Sequence, residues 1–427
     1  MEFVPSPLEF DVSPDFGFLP EREPLQCLPE YFSPWETFAR NLPQLVKEGE
    51  SFRQQIKQLP LLDHNKLSTE DEWKRAQLVL TCISHAYVWC KGETGVAKSL
   101  PKSLAVPWVS VAEHLGIPPV ITHSTFQLYN WRYIDSKRPF SMDNLEISVM
   151  ITGSKTEVGF VSIPLQLEAD FGKGCYSIPN GQKAVVNNDR EGVLKALISL
   201  KETIVQLKKS FLRIYDVCDP EEFYNGLRIY LSGWLNNPAL PDGLIYEGVN
   251  EMPLQYSGGS AAESSIFHTL DAALGVLHSK TESSSGGQFL EKMRYYMPPK
   301  HRAFIEAVAN GPSIRNYVLA SGDPDLNRAY DLCVEKLTDF RNVHLQVVAR
   351  YIIIPSNREK ESKQKGKALI GTGGSDLMSF LKQIRNETAS TASCNNNIER
   401  DSSIELHKES IRVSDDTIMV SDDNTAS

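Results

Sequence analysis

The stretch DPDLNRAYDLCVEKLTDFRNVHLQVVARYIIIP, residues 323–355, decides the fold of the larger part of the chain. Side chains that suit a protein core recur in it at alternating spacings of four and three residues, the period of one face of an α-helix. The positions on this face are Leu326, Tyr330, Cys333, Leu337, Phe340, His344, Val347, Tyr351 and Ile354. Asp323 suits the N-cap, Pro324 suits the first helical position, and Pro355 is expected to end the helix.

His344 is the one basic side chain on this apolar face. A buried histidine is more often hydrogen-bonded to a carbonyl or carboxylate than bound to a metal. The pattern by itself therefore favours a core histidine, and a metal-binding role needs further support.

Composition narrows the class of protein. The 427 residues are 41% hydrophobic and 23% charged, which is typical of a globular protein with more than one core. A net charge of −10 argues against a nucleic-acid-binding surface, which needs a concentrated basic face. No apolar run approaches the roughly 18 residues of a membrane span, and the N-terminus does not resemble a secretory signal. We expect a cytoplasmic protein that binds neither nucleic acid nor membrane.

Cysteine and histidine spacing gives no metal or disulfide signature. The seven cysteines are scattered without a C-x-x-C pair, and the nine histidines do not form H-E-x-x-H or a similar cluster. Cys333 lies on the face of His344, where a free thiol packs as a small apolar group.

The remaining helical signals lie mostly in the second half of the chain. Residues 34–58 and 69–90 show helical periodicity, whereas 145–167 has a mixed pattern and is expected to be irregular or partly β. After Asp189 the four-three spacing returns and predicts a second long helix. Further helices are predicted at 220–232, 263–278, 287–295, 298–308, 313–320 and 375–386.

This pattern predicts a mainly α protein with four parts. Residues 1–30 are proline-rich and are expected to be an extended segment on the surface, followed by a smaller N-terminal domain over 31–150. A larger helical domain over 151–386 is expected to include a mobile loop at 356–374. Residues 387–427 are poor in aromatic residues and are expected to be a disordered acidic tail.

Two glycine-rich loops and one arginine are candidate binding elements. SGGSAA at 257–262 and GTGGS at 371–375 each precede a predicted helix, but neither fits a nucleotide-binding motif. Each is either an ordinary turn or a loop whose backbone approaches a flat ligand. Arg228 lies among apolar and aromatic residues, where it either extends to the surface or binds a carboxylate through its planar guanidinium. A G-x-S-x-G nucleophile motif is absent from the sequence.

Five motifs, taken together, resemble the indoleamine 2,3-dioxygenase family in order and spacing. They are RIYLSGW at 228–234, GGSA at 258–261, MRYYMPP at 293–299, FRNVHLQ at 340–346 and GTGGSDLM at 371–378. The resemblance runs from about residue 30 to 386. It implies two α-helical domains with one haem b between them.

The resemblance also implies which residues lie on the proximal side of the haem, where the protein supplies the iron ligand. His344 matches the proximal iron ligand, which leaves the opposite face of the iron open for dioxygen. Arg341 and Asp271 match an ion pair that supports this histidine. Gly259 and Ser260 match a loop that passes close to the haem.

On the distal side, the matching positions concern the substrate. Phe160, Phe223 and Leu231 match residues that pack around an indole ring, and Arg228 matches the residue that holds the substrate carboxylate. Ser260 and Ala261 match the loop beside the ring, and Thr372 matches a mobile loop that closes on substrate.

Two positions depart from the family pattern. His123 falls where mammalian members have tyrosine, and Pro164 falls where they have a distal serine. His123 is either a distal residue that contacts dioxygen or indole, or a loop residue that faces away from the haem.

The activity implied is insertion of both atoms of dioxygen across the indole C2–C3 bond of L-tryptophan, giving N-formylkynurenine, the first step of the kynurenine pathway. L-tryptophan or a related indoleamine, dioxygen and a cellular reductant for ferric haem are the expected partners, and we expect a monomer. No side chain is required as a general acid or base. The alternative is a dioxygen-binding protein like the molluscan myoglobins of the same family. Arg228 favours the enzyme, because an oxygen carrier has no carboxylate to bind.

Overall fold

The residues described in this computed structural model are 4–280, 286–363, 372 and 377–393. Helices dominate: α1 Ser33–Leu45, α2 Glu50–Lys57, α3 Glu70–Trp89, α4 Lys102–Leu115, α5 Lys155–Val186, α6 Arg190–Leu212, α7 Ile214–Val217, α8 Pro220–Glu222, α9 Ser265–Leu274, α10 Gly286–Arg294, α11 Pro299–Asn310, α12 Ile314–Ser321, α13 Pro324–Val348, α14 Ile354–Lys363 and α15 Leu377–Ala389. The strands are short: β1 Ser99–Leu100, β2 Arg132–Tyr133, β3 Leu145–Glu146, β4 Leu244–Tyr246 and β5 Asn250–Leu254. The prediction of a mainly α protein is confirmed.

The strands form two small sheets. β4 pairs in parallel with β1, with Ser99 opposite Ile245, and antiparallel with β5. β2 and β3 form a separate antiparallel pair. No described helix combines the length and apolar character that a membrane span requires.

Helix α13 lies in the core as its periodicity predicts. The Asp323 carboxylate caps it by accepting hydrogen bonds from the backbone N–H groups of Asp325 and Leu326. Most positions on the predicted face are buried, and α13 packs along α6, which packs in turn against α5. Burying this face against α6 stabilises it far more than helix propensity does.

Pro355 does not end this helical run, contrary to the prediction. A π-helical turn at Ala349–Ile353 follows α13, and α14 continues through Pro355 to Lys363. A proline lacks the N–H that would bond four residues back, and the wider π turn just before it accommodates this loss and the ring. Residues 356–363 are therefore helical, and the rest of the predicted loop lies outside the described residues except Thr372.

Three other expectations are corrected. Residues 155–167, expected to be irregular or partly β, form the first part of α5. The N-terminal segment is not confined to the surface, because Val12, Phe18 and Leu19 are each 1% exposed. Order also extends past residue 387, since Thr388 is fully buried on α15; residues 394–427 of the predicted tail lie outside the described residues.

The described residues up to Ser393 pack as one compact unit. The division into two domains near residue 150 stays a prediction.

Candidate functional site

A largely apolar cavity of about 290 Å³ lies beside α13. Its walls come from α5, α9, α13 and α15, from the π-helical turn at Phe223–Leu227, and from the loops around residues 122 and 260. Every site residue predicted from the sequence lines it: His123, Phe160, Phe223, Arg228, Leu231, Gly259, Ser260, Ala261, Asp271, Arg341, His344 and Thr372. The fold thus brings together residues from across most of the chain length, while their individual roles stay predictions.

His344 lies in the cavity wall formed by α13. The edge of the Phe211 ring packs against it with 5.8 Å between ring centroids. Burial lowers the pKa of His344 to about 4, and the positive charge of Arg341 acts in the same direction. Neither ring nitrogen has a hydrogen-bond partner among the described residues, so the ring is neutral at pH 7 and keeps a lone pair for a ligand.

Arg341 lies one helical turn before His344 and forms a buried ion pair with Asp271 of α9. Its Nη2 atom donates to both carboxylate oxygens of Asp271, at 2.8 and 2.7 Å, and Nη1 donates to the Thr388 hydroxyl. Burial alone would raise the pKa of Asp271, but Arg341 and His278 outweigh it and lower the pKa to about 2. The pair is therefore ionised throughout the physiological range and fixes α13 against α9.

Aromatic rings form the wall nearest Arg228. The centroids of the Phe160 and Phe223 rings are 5.1 Å apart, and the edge of Tyr351 packs on Phe223 at 6.1 Å. Arg228 follows directly after the π-helical turn, and its guanidinium carbon lies 5.5 Å from the centroid of the Tyr224 ring. A flat apolar ring and a cationic group are thus presented within one cavity, which suits an aromatic carboxylate.

His123 lines the cavity, and its ring lies beside Glu168 of α5. Its Nε2 lies 3.4 Å from Oε1 of Glu168, and its backbone N–H donates to the Glu263 carboxylate at 2.7 Å. Burial raises the pKa of Glu168, and its contacts with His123 and the Phe18 backbone only partly offset this. This part of the cavity wall is therefore more polar than expected from His123 alone, although Pro164 in the same wall offers no donor.

The two glycine-rich loops meet at Thr372. Its hydroxyl donates to the Gly259 carbonyl at 2.7 Å, and its own carbonyl accepts from the Gly258 N–H at 3.1 Å. A Cβ added to Gly258 would lie 2.2 Å from the backbone nitrogen of Gly233, so glycine is needed there because two backbones cross. This crossing holds the loop that carries Ser260 and Ala261 against the cavity.

Sequence reasoning missed several lining residues. Glu168 lies two turns after Phe160 on α5, and helical spacing from Phe160 points to it once 155–167 is recognised as a helix. Four apolar residues of α15 also line the cavity: Leu377, Phe380, Leu381 and Ile384. The only sequence signal for them was the apolar period of that helix.

The side chains that line the cavity suit a prosthetic group better than a bare metal ion. No cluster of three or more histidine, cysteine, aspartate or glutamate side chains that could hold a metal was found among the described residues. A haem iron needs only one neutral imidazole from the protein, and the surrounding apolar wall suits the porphyrin. His344 and its cavity therefore fit haem.

Fold and cavity together define a class: an α-helical protein with a largely apolar cavity and a neutral histidine in its wall. The chain belongs to the indoleamine 2,3-dioxygenase family, whose model matches residues 6–391. It is 39% identical to indoleamine 2,3-dioxygenase 2 of Mus musculus over 390 residues, covering 90% of this chain and 95% of that protein. It is 38% identical to indoleamine 2,3-dioxygenase 1 of Rattus norvegicus, covering 89% and 94%. It is also 35% identical to a myoglobin of Haliotis madaka, covering 89% and 97%. The family predicted from the five motifs is confirmed.

Proposed function

We propose that this protein is a haem-dependent dioxygenase that converts L-tryptophan to N-formylkynurenine. The observation that carries the proposal is one cavity with a neutral His344 in one wall and Arg228 beside paired aromatic rings in another. Membership of a dioxygenase family supports the reaction class.

His344 is the proposed iron ligand. The Asp271–Arg341 pair fixes the helix that carries it, and the loop that contains Gly259 and Ser260 would help to hold the porphyrin. When bound, haem supplies the activation of dioxygen, which no amino-acid side chain provides.

The other residues bind and orient the substrate. Arg228 pairs with the carboxylate of L-tryptophan, while Phe160 and Phe223 pack on the indole ring, with Leu231 completing the wall. The Thr372 hydroxyl holds the loop at residues 257–262 in place beside the site through its hydrogen bond to Gly259. The apolar lining excludes water from the reacting atoms, which strengthens each polar contact inside.

The alternative is reversible dioxygen binding without useful catalysis, and the Haliotis madaka relative, a myoglobin, is the observation in its favour. The two functions differ in their need for Arg228, because only the enzyme binds a carboxylate.

The test is to reconstitute the full chain with haem, reduce it with ascorbate in air, and follow N-formylkynurenine formation from L-tryptophan. We expect turnover in the parent, and a loss of roughly 30-fold or more in kcat/KM for Arg228→Ala with haem binding unchanged, since removing one partner of a desolvated charged pair costs about 2–5 kcal/mol. Reversible dioxygen binding by a parent that forms no product would establish the alternative.

A cellular reductant for ferric haem, a monomeric state and a cytoplasmic location complete the proposal. The reductant and the monomeric state rest on the family resemblance, and the location rests on the composition and N-terminal sequence.

A further inference from the structure

His278 lies between two carboxylates behind the proximal wall of the cavity. Its Nε2 is 3.1 Å from Oδ2 of Asp271, and its Nδ1 is 2.7 Å from Oε2 of Glu387. The His278 side chain is only 9% exposed. A neutral imidazole has one donor and one acceptor nitrogen, whereas both nitrogens here face acceptor oxygens, an arrangement that suits the protonated ring.

A protonated His278 places a positive charge directly between two carboxylates. Asp271 and Glu387 are negative, and Arg341 is the other positive group in contact with Asp271. Burial and the charge of Arg341 lower the pKa of His278, but the hydrogen bonds to Asp271 and Glu387 and the charge of Asp271 outweigh them and leave a net increase. Loss of the proton would leave an excess negative charge in a poorly solvated place, which is costly.

Among the described residues, the charge of His278 also acts on His268 of α9, whose Nδ1 lies 3.3 Å from Nε of Arg294 on α10. Burial lowers the pKa of His268 to about 4, so it stays neutral at pH 7. The proton on His278 is therefore the variable charge of this cluster near neutral pH.

Hydrogen bonds to Glu387 connect the segment before α10 to α15. Besides binding His278, it accepts hydrogen bonds from the Ser279 N–H at 3.1 Å and the Gln383 side chain at 2.9 Å. Gln383 in turn accepts from the Gly286 N–H at 3.2 Å. Phe380 and Ile384, seven and three residues before Glu387 on the adjoining side of α15, line the cavity, so whatever holds α15 also holds a cavity wall.

We propose that His278 and Glu387 are positioning residues that fasten α15, and with it one wall of the cavity, onto the Asp271–Arg341 pair, and that the fastening is strongest while His278 is protonated. The fastening itself is independent of the proposed function, but its effect on haem retention rests on it. His278 has a raised pKa in the folded state. Its contribution is therefore fully present below about pH 6.5 and lost as the pH rises through the folded value.

Hydrogen exchange of the full-length protein tests the fastening without any cofactor. Protection factors of the amides of residues 377–389, corrected for intrinsic exchange, are measured at several values between about pH 6 and about pH 8.5. We expect protection in the parent to fall about tenfold as the pH rises, and to be low at every pH in His278→Gln. His114→Gln is the matched control, because His114 also pairs with a carboxylate, Glu70 at 2.8 Å, but lies outside the cavity. It should leave the profile unchanged.

Haem transfer to excess apomyoglobin gives a second readout on the haem-loaded chain. Release from the parent should accelerate with rising pH, whereas His278→Gln should release haem about 10- to 100-fold faster at low pH and with little pH dependence. Glu387→Gln is the second variant should His278→Gln fail to fold, since Glu387 is 20% exposed and tolerates substitution better.

A parent-like pH profile of α15 protection in these variants would overturn the proposal. Failure of the parent to bind haem would overturn the proposed function instead, and the exchange measurement would still decide whether the fastening exists.

Discussion

Replacing Asp271 by asparagine removes the negative charge of the buried Asp271–Arg341 ion pair with little change in shape. The Asp271 and Arg341 side chains are 11% and 9% exposed, so solvent screens their interaction weakly. The pKa of Asp271 falls from an ordinary 3.8 to about 2 in the folded protein. At about 1.4 kcal/mol per unit, this difference corresponds to about 2 kcal/mol of stability at neutral pH.

We therefore expect Asp271→Asn to lower the free energy of unfolding by about 2 kcal/mol, less than the ~3–5 kcal/mol typical of deleting a buried partner, because asparagine still accepts one hydrogen bond from Arg341. Urea unfolding at pH 7, followed by tryptophan fluorescence and by circular dichroism, measures the change, and coincidence of the two curves checks that one transition is observed. A lowered folded pKa gives stability that is present above 3.8 and lost as the pH falls towards 2. The difference between parent and variant should therefore shrink in acid.

Asp11→Asn is the matched control for this experiment. Asp11 pairs with Lys300 at 2.9 Å, but both side chains are 59% exposed, and such pairs contribute little. Equal, small shifts in the unfolding midpoint for both variants would refute the idea that the buried pair fixes α13 to α9.

Four further outcomes are expected from the site. His344→Ala should lose stable haem binding, measured by the Soret absorbance after gel filtration, and an unchanged ferrous spectrum would remove His344 as the ligand. His123→Phe should raise KM for L-tryptophan several-fold, as expected for the ~0.5–1.5 kcal/mol of one hydrogen bond, and steady-state kinetics with an unchanged KM would contradict this. The neutral His344 and His268 both have pKa values lowered to about 4, so their contribution to stability is present above about pH 6.5 and lost as the pH falls towards 4; urea midpoints at pH 7 and pH 5 should show the loss. Deleting residues 394–427 should change neither haem binding nor product formation, and a clear loss of either in the same assays would show that the segment contributes to the site.

The helices that the sequence predicts well are those with an uninterrupted apolar period. α13 is an example, whereas the start of α5 over 155–167 is hidden because Gly159 and Pro164 lower helix propensity there. The structure explains the glycine: a Cβ at residue 159 would lie 2.4 Å from the Val217 carbonyl oxygen, so close packing selects it. Tertiary contact thus outweighs local preference in α5.

The site residues could be found from the family motifs but not from periodicity alone. His344 lies on a predictable helix, yet nothing in the sequence of that helix shows whether its ring nitrogens are hydrogen-bonded. The contacts of His123 with Glu168, and of His278 with Glu387, join distant parts of the chain. A single sequence carries no direct signal for such pairs, because they depend on how helices pack.

The π-helical turns at Ser124–Leu128, Phe223–Leu227 and Ala349–Ile353 each adjoin the cavity, and each contains one residue more than an α-helical turn would. Removing a single residue from the second turn would restore ordinary helical geometry and rotate the residues after it by about 100°. Arg228 comes directly after that turn, so its guanidinium would leave the side of the cavity that Phe223 occupies. For this protein the length of the chain at these three turns is as restrictive as the identity of the side chains, and single-residue deletions there should be tolerated less well than most substitutions.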